Sequence, residues 1–422
     1  MSTVVSSEPP KLSNFRILAP WYAVEFLNSY ACTLLLVCVP YLLKELYHRP
    51  PAAALWQSAA WGLCYVPFAL FAGILADRWG PRTLLTRAAT LAVPATAVGL
   101  LAIPAIAVHL PGLPLYSVGV LFLVMMFYNA TNTASWPALE AAITRSPGSV
   151  RLSTRTGIYN VIWSSAGFLA FPTVDLIRTL GWPLMFLIPT ALCALAAFIA
   201  NALTIPQALL LASEAPDDNG GGGGGGGADT HQAPPNARSL LLMAWIANPM
   251  AYVAINVLMA LTPSVSPHAA SLNSIWKFTT VVGFVLWWKC PFWHYKTSLI
   301  LAAYAGLIAS FALIVGFADP AAGTPLLILI PAQILFGLSV SLIYSSSLYY
   351  SMHASAGGGS HAGMHEALIG GGIALGCAVA ALASYTPSLT PITLAVTTIL
   401  LTGGTIISTL ALRSPRRLVP SP

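Results

Sequence analysis

The sequence predicts an all-α integral membrane protein in which twelve transmembrane helices form two six-helix bundles, with both termini on the cytoplasmic side. Three observations carry that expectation. Charged residues make up 7% of the 422 and hydrophobic ones 57%, with a mean hydropathy of +0.77, whereas a soluble domain carries about 25% charged residues. The apolar residues collect in twelve runs, and about 20 residues of helix are what crosses a hydrocarbon core of about 30 Å. Lysine and arginine gather in alternate loops, so the two sides of the membrane differ in charge.

The runs fall at 16–43, 53–76, 83–108, 115–142, 153–177, 182–205, 238–262, 271–289, 297–317, 325–351, 363–385 and 391–412. They are continuous rather than alternating with a two-residue period, so each is expected to satisfy its backbone hydrogen bonds within a helix instead of across a barrel. The first run is too long for the apolar core of a cleavable signal and is read as the first membrane helix. Between the sixth and seventh runs lie Glu214, Asp217, Asp218, an unbroken Gly220 to Gly227, Asp229 and Pro234-Pro235, a composition that cannot pack a core. The expected organisation is therefore an N-terminal tail at 1–15, a six-helix bundle at 16–205, a flexible Gly-rich linker at 206–237, a second bundle at 238–412 and a tail at 413–422. With the N-terminus inside, 14 Lys and Arg lie on the inner side and three, Lys44, Arg49 and Arg178, on the outer, which places both tails and the linker in the cytoplasm.

Several functions are excluded by what the residues lack. The formal charge of +6 is scattered among the loops and forms no nucleic-acid face. Six isolated cysteines, with no CxxC and no paired histidines, indicate neither a disulfide framework nor a metal site, and no cofactor motif is present. Ser345-Ser346-Ser347 lacks the flanking glycines of a nucleophile elbow, and the eight-glycine run lacks the Lys-Ser/Thr of a phosphate loop. An enzyme is not expected.

The charges that remain within the apolar chain are few. Glu25 lies about nine residues into the first run, roughly 13 Å at 1.5 Å per residue, close to mid-membrane. Buried charge costs at least ~2.5–3.5 kcal/mol at mid-helix, so each such group is a candidate site. Lys277 lies about six residues inside the outer end of the eighth run, where it either holds an anionic substrate or snorkels outward. His365 and Glu366 are read in the first turn of the eleventh helix, as a gate or as an acid stabilised by the helix N-terminus, near the face opposite Lys277. Asp175 and Arg178 are read as a surface pair. Asn248-Pro249 is a candidate break in the seventh helix, and Gly372-x-x-x-Gly376 a close helix contact.

One short charged stretch stands between the second and third runs: Gly73-Ile74-Leu75-Ala76-Asp77-Arg78-Trp79-Gly80-Pro81-Arg82. With twelve helices and a six-plus-six division, this G-x-L-A-D-R-x-G loop resembles the signature of the major facilitator superfamily (MFS), with Pro81 where a basic residue is usual. The resemblance covers roughly residues 15–412. Other motifs depart from it. Phe127 to Asn132 holds no arginine of the kind proton-coupled members carry on helix 4. The fifth helix keeps Gly167 and Pro172 of an antiporter motif but has Phe171 for its second glycine. Tyr344 to Tyr350 with His365-Glu366 is similar to uncharacterised prokaryotic members.

The resemblance implies a secondary transporter working by alternating access on a small organic solute. Such a protein would be proton-coupled and monomeric, in the inner (plasma) membrane of a prokaryote. An uncoupled facilitator or efflux pump is the alternative within the fold, and a non-transporting membrane sensor the alternative outside it. It further implies a latch in which Asp77 faces the start of helix 11 near His365 and Glu366, and Arg78 or Arg82 pairs with Glu140, with Gly73 and Gly80 shaping the loop. First helices line the cavity in this fold, which makes Glu25 the candidate proton carrier or cation ligand. Around it the cavity helices would contribute Asn28, Tyr128, Asn129, Asn132, Asn160, Trp163, Asn248, Tyr252, Asn256, Lys277 and Tyr344, a lining suited to a partly polar molecule.

Overall fold

The structure, a computed structural model, describes residues 14–107, 109, 113–145, 152–203, 237–265, 269–317, 326–355, 359–386 and 388–413. Nearly all of the expected linker and of both expected tails falls outside these residues. Within them the first half contains α1 (Asn14–Glu45), α2 (Pro51–Trp79), α3 (Pro81–Ala97), α4a (Leu113–Thr133), α4b (Ser135–Arg145), α5 (Leu152–Leu180) and α6 (Leu184–Ala202). The second contains α7 (Ala237–Val265), α8 (Ala269–Lys289), α9 (Thr297–Gly316), α10 (Leu326–Ser355), α11 (Gly359–Ala383) and α12 (Thr390–Arg413).

Among the described residues eleven spans are long and apolar enough to cross a membrane by themselves, α4a and α4b counting as one. The exception is α8, 21 residues that include Ser271, Asn273, Ser274, Lys277, Thr279 and Thr280. Its amide side chain, Asn273, is satisfied inside the bundle. Gln333 of α10 donates to Asn273 Oδ1 at 3.0 Å and accepts from the Trp276 N–H at 3.3 Å, and Asn273 donates to Thr262 Oγ1 at 2.8 Å. A helix that polar is stable in lipid only where neighbouring helices supply its partners.

Three expectations about individual helices change. The fourth helix is interrupted at Ala134, just before Trp136-Pro137; Pro137 has no N–H to give the Thr133 carbonyl one turn back, so the ladder is broken there. The third helix tightens into a 3₁₀ turn at Val98–Ala102 rather than running to 108. Asn248-Pro249 does not break α7, which is continuous through it. The Pro249 backbone instead lies against Gly372 of α11, where a Cβ would meet the Pro249 carbonyl, and Gly376 does the same for Val253.

Within the first half α1 packs on α5 and α6, and α3 on α6; within the second, α8 packs on α10, α9 on α10 and α12, and α7 on α11. The halves meet through α2 with α11, α5 with α8, α1 and α2 with α7, α4b with α11 and α5 with α10. Helices α3, α6, α9 and α12 sit at the periphery, where Leu91, Phe198, Leu394 and Leu401 project apolar side chains outward. In lipid such exposure is the favourable arrangement.

Candidate functional site

The charged loop follows from local geometry. Gly80 has φ +79° and ψ 149°, a conformation in which a side chain is strained, and an added Cβ would meet nothing within 4 Å, so the requirement is one of backbone alone. Pro81 then opens α3 at a position where its missing N–H costs nothing. The turn holds Asp77 against the other half of the fold. Its carboxylate accepts from the Gly359 and Ser360 N–H groups at 2.9 Å each, the free donors at the start of α11, and pairs with Arg145 at the end of α4b. This close approach depends on Gly73, where a Cβ would collide with the Gly359 carbonyl and come within 2.9 Å of the Gly363 Cα.

The partners differ from those expected. The ion pair on Asp77 comes from Arg145, one to two turns beyond Glu140, and Arg78 projects into the surroundings. Glu140 is buried and turned inward. His365 and Glu366 are not in the first turn of α11, because Asp77 caps the helix from the other half and lets it start at Gly359. They lie about 10 Å further along, two turns in, away from the latch. Asp77→Asn is expected to weaken the cap by about 1.5–3 kcal/mol, the worth of hydrogen bonds to a charged acceptor, and so to cut flux roughly 10-fold or more with normal membrane insertion. Flux assays on reconstituted protein check this, and wild-type flux from a fully inserted mutant would remove the latch.

At the opposite end the halves are also in contact. Lys44 Nζ donates to the Pro263 carbonyl at 2.5 Å, Tyr41 Oη accepts from the Ala270 N–H at 3.0 Å, and Asp175 accepts from Ser271 Oγ. Asp175 also pairs with Arg178 at 3.1 Å, and Arg178 with Glu45 at 2.6 Å. The pair read as a surface feature therefore reaches across to α8 as well.

Between these two contact zones lies a cavity of about 120 Å³ at the junction of the halves, several times the ~10–15 Å³ that a single water requires. The first half lines it with Glu25, Ser29, Cys32, Trp61, Tyr65, Trp136, Tyr159 and Trp163, and the second with Tyr252, Asn256, Lys277, Tyr344, Glu366 and apolar Ile255, Met259, Ile369 and Ile373. Glu25 is 0% exposed and accepts from Ser29 Oγ at 2.7 Å, one turn along α1. Lys277 is 6% exposed, with Nζ 4.7 Å from the centre of the Trp163 ring and 5.0 Å from that of Trp276. The two indoles face the ammonium as a cation–π pair, so the side chain does not snorkel outward. Phe284 packs edge to face on Trp163 and Tyr344 at 5.4 and 5.9 Å, and Trp163 and Tyr344 meet at a tilt at 5.0 Å, which makes that wall aromatic.

Lys277 and Glu366, expected near opposite faces, line the same cavity. Each helix begins earlier than its apolar run, at Ala269 and Gly359, so both residues sit two turns inside, about 12 and 10 Å from their respective ends. Glu366 extends the site into a buried cluster. Its Oε2 accepts from Tyr65 Oη, and ligand atoms of Glu140, His365 and Glu366 all lie within 4.8 Å of one another.

Of the residues expected in the cavity, the structure brings Glu25, Trp163, Tyr252, Asn256, Lys277 and Tyr344 together. The others lie outside the lining. Asn129 donates to the Trp61 carbonyl at 2.7 Å across helices, Asn160 accepts from Trp163 Nε1 at 3.4 Å within α5, and Tyr128 lies 6.0 Å from the Trp61 ring. Asn28, Asn132 and Asn248 are buried outside the lining. Trp61, Tyr65 and Trp136 were not anticipated. An aromatic ring in a membrane helix reads as lipid-facing or core unless its helix face is known; the Trp136-Pro137 break, which turns α4b inward, was the available signal.

The sequence profile of the Major Facilitator Superfamily matches residues 22–420. No curated protein sequence matches the chain. Among solved structures, a partially occluded inward-open form of the xylose transporter XylE from E. coli superposes with a TM-score of 0.73 at 12% identity, covering 97% of this chain and 99% of that one. The human organic anion transporter MFSD10 gives 0.67 at 15% identity over 95% and 100%, and the nucleoside transporter NupG 0.63 at 16% over 94% and 99%. Identities this low speak for the fold alone, which is that of a transporter; the profile match, the Gly73–Gly80 loop and the helix arrangement together mean that the chain belongs to the Major Facilitator Superfamily.

Proposed function

We propose that the protein moves a small, ring-bearing polar solute across the membrane by alternating access, coupled to protons through Glu25. The observation that carries the reading is the cavity between the halves, which holds one buried acid and one buried base on walls of indole and phenol rings. Ring faces of this kind stack on sugars, bases and other planar groups. Lys277 would take an anionic or acceptor group of the solute, and Asn256 a second polar contact. Transport of xylose, nucleosides and organic anions by proteins of the same fold is in keeping with such a solute.

Alternating access rests on the two contact zones, at Asp77 with α11 and at Lys44 with Pro263, each of which must part for the cavity to open on its side. Proton coupling rests on Glu25 lying in the lining with no cation paired to it among the described residues. The titratable groups around it are Tyr159, Glu140, Glu366, Cys32 and Tyr344. The loop charges favour both termini and the linker in the cytoplasm, in the inner membrane of a prokaryote, with the monomer as the working unit. Flux into proteoliposomes, measured on a panel of sugars, nucleosides and organic anions with and without a pH gradient, tests the reading. Saturable flux that a pH gradient accelerates supports it. Flux indifferent to the gradient would make the protein an uncoupled facilitator, and no flux of any solute would favour a sensor.

A further inference from the structure

The buried cluster beside the cavity has donors that its surroundings do not use. His365 is 1% exposed and Glu140 2%, yet His365 Nε2 and Glu140 Oε1 have no hydrogen-bond partner, and both residues belong to the group whose ligand atoms lie within 4.8 Å. Two carboxyl groups and an imidazole at this spacing cannot stay charged and unpaired in a membrane interior, so they are neutralised either by protons or by a bound metal cation.

The groups around the cluster hold it in a ligating pose. Ser347 Oγ lies 3.2 Å from His365 Nδ1, and a proton on Nδ1 would leave the unpartnered Nε2 free to ligate. The Tyr344 ring meets the imidazole edge to face at 5.6 Å and fixes its plane. Tyr65 donates to Glu366 Oε2, and the Glu366 carboxyl also meets that of Glu140. We propose that Glu140, His365 and Glu366 bind one divalent first-row transition metal ion, such as Zn²⁺, in a site that joins the two halves of the fold.

The chemistry of the donors selects the ion. One imidazole with two carboxylates suits Zn²⁺, Co²⁺ or Mn²⁺, whereas Mg²⁺ and Ca²⁺ take oxygen alone. Ligand atoms around a tetrahedral ion at ~2.0–2.2 Å are roughly 3.4 Å apart, so the cluster must contract by about 1.4 Å at most, within the reach of two glutamate side chains. Three protein ligands leave a fourth position, and Glu366 lines the cavity, so water or solute reaches the ion from there. Glu140 comes from α4b of the first half and the other two ligands from α11 of the second. A bound ion would thus hold together, from inside, the end of the interface that Asp77 holds from outside.

The experiment needs no transport assay, so its outcome is independent of the transport reading. Full-length protein without a histidine tag, stripped with chelator, is titrated at one fixed pH with Co²⁺ followed by visible absorption, and its zinc is counted after gel filtration. One ion per chain is expected, with a d–d spectrum of low coordination number and a rise in unfolding temperature on binding. His365→Asn and Glu140→Gln should each weaken binding at least tenfold. Ser347→Ala, which keeps all three ligands, should weaken it 10- to 100-fold, as loss of an orienting partner does. His361→Asn, on the exposed side of α11, should leave it unchanged. Variants are compared where their gel-filtration profile and metal-free unfolding match wild type. The proposal is overturned if folded wild-type protein shows no saturable binding, which would leave the cluster to protons alone. It is equally overturned if the ligand variants and Ser347→Ala bind as wild type does.

Discussion

Glu25→Gln is expected to abolish the response of transport to a pH gradient while preserving solute exchange at equal pH. Gln is nearly isosteric with Glu, and its amide oxygen still accepts from Ser29 Oγ, so the cavity wall keeps its shape. What it loses is the ability to carry a proton. A carboxyl with no exposure and no cationic partner is expensive when charged, so each release of its proton must be tied to a state in which water or solute reaches the cavity. Gradient-driven flux should therefore fall to the level seen without a gradient, a loss of tenfold or more, whereas counterflow should continue. Measuring both on one proteoliposome preparation separates coupling from folding. Should the mutant keep its gradient response, Glu25 is no carrier; a response lost only on Glu366→Gln would move that role to the buried cluster.

The second large effect is expected at Gly73→Leu. The α2–α11 contact is a backbone-on-backbone approach, and a Cβ at residue 73 already meets the Gly359 carbonyl before any larger side chain is considered. Overpacking of this kind costs about 1–3 kcal/mol, which shifts the population closed at the Asp77 end by roughly 5- to 100-fold. A cavity that no longer closes there exposes its lining. Cys32 lines it and is buried, so in a variant with the other five cysteines replaced, its reaction with a maleimide should speed up by a comparable factor. Gly73→Ala should give a smaller change in the same direction. Unchanged labelling in a folded Leu variant would show that α2 and α11 part elsewhere.

The sequence carried the architecture because membrane helices are written in one dimension. Length, apolarity and the side on which arginines gather are properties of consecutive residues, and the lipid imposes the same requirement on every span. The Asp77 cap on α11 was legible for a related reason, since a loop of fixed pattern at a helix end can offer its carboxylate to few other places. The element with the weakest signal, α8, is the one whose Asn273 is satisfied by α10 and α7 rather than by its own sequence.

The site was legible residue by residue but not as an arrangement. Glu25 and Lys277 stood out because ionisable groups in lipid are rare, yet that Lys277 and Glu366 line one cavity depended on where α8 and α11 begin, and for α11 the capping carboxylate from the other half decides it. Asn129 proved to tie two helices together, and Asn28, Asn132 and Asn248 to be buried away from the lining, because an amide in a membrane helix serves a neighbour or a cavity equally well and only the helix rotation tells which. The cluster of Glu140, His365 and Glu366 is the clearest case. Glu140 lies more than 220 positions from the other two members in the chain, and the sequence by itself placed it with an arginine. Composition and loop charge determined that this is a twelve-helix bundle built in two halves. Only the tertiary structure decided which acids meet, because that depends on the angle at which two separately encoded bundles face each other.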